Sequence, residues 1–317
     1  MRGARKLAPC SLKGETMYAI ETTNLTKSFR GFLAVNNLNL RVPVGSIYGF
    51  IGENGSGKST TQKLISGLLV KSDGEIKLFG KDYQDPGVRA RIGVMIENPA
   101  CFPSSTVYQN LMMQALNLGI ENPKDEVMRV LKLVNMESAA TRKFKQCSLG
   151  MKQRIGVAQS LLGNPRLIII DEPINGLDSD GVRIVRETMI ELNQKHGITI
   201  LVSSHVLGEL EKIATHYGII RNGTLIKEMT AGEMSNEWRE FVFVKVKDKA
   251  KALELLKTKY KEVEAEEDGI RIYDERAAEN ANELLVKGGV AVREISYKKI
   301  GLEEYYIRLM SEQRRTA

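Results

Sequence analysis

The sequence predicts an α/β fold built on a parallel sheet, with a helical subdomain inserted into it and a small α+β accessory unit after it. Three observations predict this. The apolar run Ile47–Ile51 leads into GENGSGKST (52–60) and then into the helix-like TTQKLISGLL, giving strand, glycine-rich loop and helix in that order. LIII (167–170) and ITILVSS (198–204) read as strands buried on both faces, as in a parallel sheet covered by helices. Beyond about residue 230 the texture changes to alternation, beginning with FVFVKVK.

The glycine-rich segment comprises Gly52, Glu53, Asn54, Gly55, Ser56, Gly57, Lys58, Ser59 and Thr60, and it fits G-x-x-x-x-G-K-[S/T]. Glycines let the backbone curl so that successive N–H groups converge on a phosphate, and the following helix adds its positive N-terminal end. Lys58 is expected to reach the β- and γ-phosphates and the Ser59 hydroxyl to ligate Mg²⁺. A nucleotide site follows; what the nucleotide drives does not.

Around that loop, YAIETTNL, AVNNLNLRV, SIYGFIG and GEIKLFG read as strands separated by turn residues, and RIGVMIE as a further core strand. Helical periodicity then takes over. Thr106 and Gln109 form a capping-box pattern, with Val107, Leu111, Ala115 and Leu118 on one face. Helices are expected over about 124–134 and from Leu149 to Leu162, where Gly163-Asn164-Pro165 ends the last one. These place a helical subdomain at about 98–165, and a helix over 179–194 separates the two buried strands. The α/β domain spans 17–230. In the accessory domain, 231–317, strand, helix, an Asp268-Gly269 hairpin, helix, strand and a last helix suggest a βαββαβ order. No repeat or low-complexity tract is present.

Composition bounds the function. Hydrophobic residues make up 42% and charged residues 27%, ordinary for a globular protein. No apolar run approaches the ~18–20 residues that span a bilayer. The net charge is +7, and Arg2, Arg5, Lys6 and Lys13 against Glu15 leave +4 for the rest, too weak to argue nucleic acid. Cys10, Cys101 and Cys147 make neither a disulfide framework nor a zinc pattern, which favours a reducing cytoplasm. Residues 1–16 lack periodicity, and Met17 reads as the native start; an intact mass that includes Met1–Thr16 would refute this.

Asp171 ends a buried strand and Glu172 follows it. A carboxylate there can hold Mg²⁺ opposite Ser59, and Glu172 is placed to orient or deprotonate the water that attacks the γ-phosphate. His205 repeats that placement after the second buried strand, where a donor could reach the γ-phosphate and sense its loss. CSLGMKQR (147–154) combines a serine, a glycine and a helix start. Alone it caps a helix; beside a complete phosphate loop it becomes a candidate second half-site for another subunit's nucleotide.

GENGSGKST, MIENPA, CSLGMKQR, LIIIDEP, NGLD and SSH occur in that order, and over about residues 17–230 the chain resembles the ATP-binding subunits of ABC transporters. The resemblance implies a P-loop ATPase core with an inserted helical subdomain. It implies that Phe29 stacks on adenine, that Gly52–Thr60 are the Walker A loop, that Asp171 holds the metal and that Glu172 is the catalytic glutamate. Ser148 and Gly150 look like the signature residues that close over ATP on the opposite subunit, Asp178 like the D-loop aspartate, and His205 like the switch histidine. Three positions depart: Glu97 replaces the usual glutamine, Leu149 and Met151 stand in the signature, and Ser179 follows Asp178 in place of proline. Glu97, counted among the nucleotide and metal contacts, either alters water and Mg²⁺ positioning or offers the membrane partner a charged contact, since a carboxylate cannot donate as an amide does. I-E-N-P with S-L-G-M-K-Q-R resembles the bacitracin- and lantibiotic-resistance exporters in particular.

The resemblance therefore implies a cytoplasmic ATPase at the inner face of the membrane. It would pair with a second ATPase subunit, as a homodimer, and drive a separate permease whose coupling segment meets Glu97–Tyr108. ATP and Mg²⁺ are the implied cofactors, and no nucleic acid is a partner. Export of another substrate, or a non-transport ABC ATPase, are the alternatives. Against the second, there is no long inserted coiled coil and only one ATPase module. Glu172 and His205 also argue against a nucleotide-binding regulator that does not hydrolyse.

Overall fold

The computed structural model describes residues 17–237, 240–266, 268–274, 277–299 and 301–315; the segment 1–16, read as preceding the native start, lies outside the described residues. The chain divides at Thr230/Ala231 into two compact units.

The first unit opens with β1 (Tyr18–Phe29), β2 (Phe32–Leu38) and β3 (Arg41–Pro43), then β4 (Ile47–Ile51) and α1 (Lys58–Ile65). AVNNLNLRV, expected as one strand, is two. Asn37 takes a positive φ of 46°, and β2 and β3 pair with opposite ends of β1. The buried Thr22 hydroxyl fills the break, donating to Leu38 O at 2.8 Å and accepting from Leu40 N at 2.9 Å. Next come β5 (Asp73–Leu78), β6 (Lys81–Asp82), α2 (Pro86–Arg89) and β7 (Ile92–Met95). β5 pairs with β1, which closes an antiparallel layer over one side of the core.

Three helices follow: α3 (Val107–Asn117), α4 (Pro123–Leu133) and α5 (Leu149–Ser160). The capping box at α3 forms in both directions, with Gln109 N on Thr106 Oγ1 at 3.1 Å and Thr106 N on Gln109 Oε1 at 2.9 Å. Val107, Leu111 and Ala115 are buried as their spacing predicts. Leu118 is 56% exposed because the helix has ended there and no longer holds it on the buried face. The core then resumes with β8 (Leu167–Asp171), α6 (Ser179–His196), β9 (Thr199–Ser203), α7 (Leu207–Glu211), β10 (His216–Arg221) and β11 (Thr224–Thr230).

The central sheet has the order β11-β10-β4-β9-β8-β7, parallel from β10 to β7. Every residue of β4, β8 and β9 is buried, so the apolar runs are the sheet's middle. In register, Asp171 lies opposite Ser203, and Ser203 opposite Phe50. The C-terminal ends of three neighbouring strands therefore open at one edge, where open α/β sheets bind ligands.

The second unit holds α8 (Ala231–Glu237), β12 (Glu240–Val246), α9 (Lys249–Lys259), β13 (Val263–Ala265), β14 (Ile270–Ile272), α10 (Ala277–Lys287), β15 (Val292–Lys299) and α11 (Leu302–Arg315). From β12 to β15 the order is βαββαβ, and the antiparallel sheet runs β13-β14-β12-β15, the split-βαβ arrangement. Val242, Val244, Ile270 and Ile272 bury one face against α9 and α10. On the other face Phe241 and Phe243 pack with Tyr273 and with Tyr305 of α11, while Arg271 pairs with Glu266 and Glu304.

Candidate nucleotide site at the sheet edge

The loop between β4 and α1 has no room for side chains at two positions. A Cβ on Gly52 would stand 2.5 Å from Ile220 O, and one on Gly57, whose φ is 108°, 2.6 Å from Ala34 O. Gly57 caps α1 without a side-chain acceptor, so the first amides of the helix are not taken by a cap. Ser56 Oγ and Thr61 Oγ1 are buried and have no hydrogen-bond partner among the described residues. A cradle of this kind, with unused donors and a closed backbone path, fits a phosphate chain.

Lys58 is 6% exposed. Its Nζ donates to the loop's own carbonyls, Gly52 O at 2.6 Å and Glu53 O at 3.1 Å. Burial pulls its ammonium below the usual range, and the charges of Glu172 and Asp171 oppose that pull. The lysine is thus aimed between the loop and the two strand-end acids. Ser59 and Thr60 are half-buried in the first turn of α1.

Asp171, 6% exposed, accepts from Ser203 Oγ at 2.5 Å. Glu172 N donates to Ser203 O and Ser203 Oγ, both at 3.2 Å. Glu172 has φ 49°, a left-handed conformation of the kind that collects at functional sites. It turns the side chain toward His205, whose Nδ1 lies 2.7 Å from Glu172 Oε2. A carboxylate only accepts, so Nδ1–H is the donor in this contact and Nε2 stands outside it.

Apart from Phe29 and Glu97, the site residues read from the sequence fall into two groups. Gly52–Thr60, Asp171, Glu172 and His205 share the sheet edge. Ser148, Gly150 and Asp178 gather at the starts of α5 and α6. Ser148 caps α5, accepting from Met151 N at 3.3 Å, and Asp178 caps α6, accepting from Gly181 N at 2.9 Å. A Cβ on Gly150 would meet Leu177 Cδ2 at 3.8 Å, so the two caps sit side by side. Ser148 and Asp178 are exposed, a surface a second subunit could meet. Phe29 ends β1, 44% exposed, with Lys27 Nζ 4.9 Å from the ring centroid.

Glu97 is exposed, has φ 65°, and accepts from Lys63 Nζ at 2.6 Å. Lys63 holds its carboxyl below the usual range. Glu97 therefore tethers the loop after β7 to α1, the helix that begins at Lys58. Ser203 and Lys63 are the partners that sequence reading missed. For Ser203 the available signal was a hydroxyl ending an otherwise apolar strand; Lys63 gave none.

The donor set suits magnesium. Mg²⁺ needs one or two carboxylates, a hydroxyl, phosphate oxygens and water, not a cage. Ser59 and Asp171 would hold it, and it would supply charge on the phosphate oxygens. Among the described residues no group of three or more His, Cys, Asp or Glu forms a cage.

Residues 35–175 match the family model described as ABC transporter. The chain is 35% identical over 297 residues to the bacitracin transport ATP-binding protein BcrA of Bacillus licheniformis, covering 92% of this chain and 97% of that protein. It is 39% identical over 209 residues to the lantibiotic transport ATP-binding protein SrtF of Streptococcus pyogenes, covering 66% and 90%. Among solved structures, cbiO1 of Clostridium perfringens, part of the ABC transporter complex cbiONQ, superposes with a TM-score of 0.63 at 27% identity, covering 70% of this chain and 92% of that one.

Proposed function

This chain belongs to the ABC transporter family as an ATP-binding, ATP-hydrolysing subunit, and we propose that its transporter exports an antimicrobial peptide of the bacitracin or lantibiotic kind. One observation carries the substrate class. The likeness to the bacitracin transport protein extends over 297 residues, more than the 230 of the first unit, so it reaches into the accessory unit as well.

In this reading Gly52–Thr60 wrap the phosphates, Lys58 leaves the loop carbonyls for the β- and γ-phosphate oxygens, and Phe29 offers a ring face to adenine. Ser59 and Asp171 hold Mg²⁺, with Ser203 fixing the carboxylate. Glu172 accepts a proton from the attacking water. His205, oriented by Glu172, places Nε2 toward the γ-phosphate. Ser148, Gly150 and Asp178 meet the nucleotide of a second ATPase subunit. Binding draws the pair together, and hydrolysis and release let it open. No helix among the described residues is long and apolar enough to cross a membrane. A separate permease would hold the subunit at the cytoplasmic face, with Glu97–Tyr108 as its seat.

Deleting the gene in its native host tests the substrate. Sensitivity to bacitracin or to a lantibiotic should rise at least about fourfold, with restoration by the wild-type gene and none by Glu172→Gln. Unchanged sensitivity to both peptides would sink the substrate class and leave the ATPase standing.

A further inference from the structure

Next to the segments that carry Glu172 and His205, the residues Pro173, Ile174, Met189, Val202, Ser204 and Leu210, with Arg186 and Glu209, line a small apolar pocket with room for about one water. Each wall is the back of a functional segment. Pro173 and Ile174 follow Glu172. Ser204 precedes His205. Arg186 and Met189 belong to α6, the helix that Asp178 caps, and Leu210 to α7, which begins two residues after His205.

One strong polar contact joins α6 to α7 beside the pocket. Arg186 Nη1 lies 2.5 Å from Glu209 Oε2, with side-chain exposures of 23% and 19%, and Lys212 Nζ takes Glu209 Oε1 at 2.5 Å. The other ion pairs of α6, Arg183 with Asp180 and Glu187 and Lys195 with Glu191, stay within the helix and are more exposed. α7 has only five residues, too short to hold itself in place.

We propose that Arg186 and Glu209 are positioning residues for hydrolysis: their ion pair fixes α7 to α6 and thereby holds His205 against Glu172. The proposal rests on the assignment of Glu172 and His205 to the reaction. It adds a link from the Asp178 end of α6 to the switch histidine within one chain. Neither residue is among those assigned to the nucleotide, so their loss should act on turnover and not on ATP affinity.

The full-length chain carries the test, with Arg186→Gln, Glu209→Gln, the exchange Arg186→Glu/Glu209→Arg, and Arg183→Gln as a control on the same helix. Two readouts are taken: steady-state ATP hydrolysis, and amide hydrogen exchange over residues 203–212. Each single variant should lose about tenfold in kcat with KM for ATP within about twofold. Exchange in 203–212 should rise by about tenfold. The exchanged pair should recover part of both, short of the whole because Lys212 loses its carboxylate partner, and Arg183→Gln should match the wild type. A KM that rises with kcat unchanged, or exchange in 203–212 that stays at the wild-type rate, would overturn the proposal. If the wild type itself hydrolyses no ATP, the catalytic reading fails, whereas the exchange rates still decide whether the pair holds α7.

Discussion

Glu172 and His205 stand 33 positions apart in the chain and 2.7 Å apart in space. The contact is possible because parallel neighbours β8 and β9 end level with each other, Asp171 opposite Ser203. One consequence is chemical. The carboxylate that would take the proton from water also accepts from Nδ1–H, which fixes the orientation of the ring and leaves Nε2 outside the contact.

Glu172→Gln keeps the size of the side chain and removes its basicity. Phosphate release should fall by about 10²–10⁴-fold, while binding of a fluorescent ATP analogue stays within a few fold. Size-exclusion chromatography with ATP should then show an accumulated dimer. Turnover at the wild-type rate would remove Glu172 from the role of base.

Lys58→Ala strips the ammonium from a buried position where two loop carbonyls now receive it. ATP affinity should drop at least about tenfold, roughly 1.4 kcal/mol. Titration with the same fluorescent analogue reads this directly. A variant that binds as tightly as the wild type would end the phosphate role of the lysine.

Ser203→Ala leaves the buried Asp171 carboxylate without its short hydroxyl donor. An acceptor stranded in this way costs about 1–3 kcal/mol, which a shifted denaturant midpoint would show. The Mg²⁺ concentration for half-maximal turnover should rise too, because the oxygen proposed to hold the metal is no longer fixed. Ser203→Thr, which keeps the hydroxyl, should recover most of both losses.

Glu126 gives a pH-dependent test away from the site. Arg129 holds its carboxyl below the usual range, aided by the backbone N–H of Gly163. The folded value is depressed, so its contribution is present above about pH 4.3 and is lost as pH falls through the folded value. Glu126→Gln should therefore destabilise the chain by about 1–2 kcal/mol at pH 7, and the gap to the wild type should close under acid. A difference of equal size at pH 7 and in acid would refute the ion-pair origin.

Sequence reading reached far where chemistry is local. The glycine-rich loop between β4 and α1, the capping box at Thr106 and the buried strands LIII and ITILV were legible because glycine spacing, a cap residue and apolar runs act over a few residues. Glu97 was legible as a departure but not as a tether, since Lys63 lies 34 positions away. The AVNNLNLRV run misled because its two halves pair with opposite ends of β1 and the break between them is filled by Thr22, a residue outside the run.

By itself, then, the sequence determined a glycine-rich loop between a buried strand and a helix, followed by acids and a histidine at the ends of buried strands. Only the tertiary structure decided which of these meet. The order β4-β9-β8 sets β9 between the phosphate loop and Asp171, and no local periodicity encodes that order, because crossover helices permit several. The same holds for Ser203 on Asp171, Glu172 on His205 and Arg186 on Glu209. Each is a pairing of polar groups that becomes strong once the strands and helices around it exclude water.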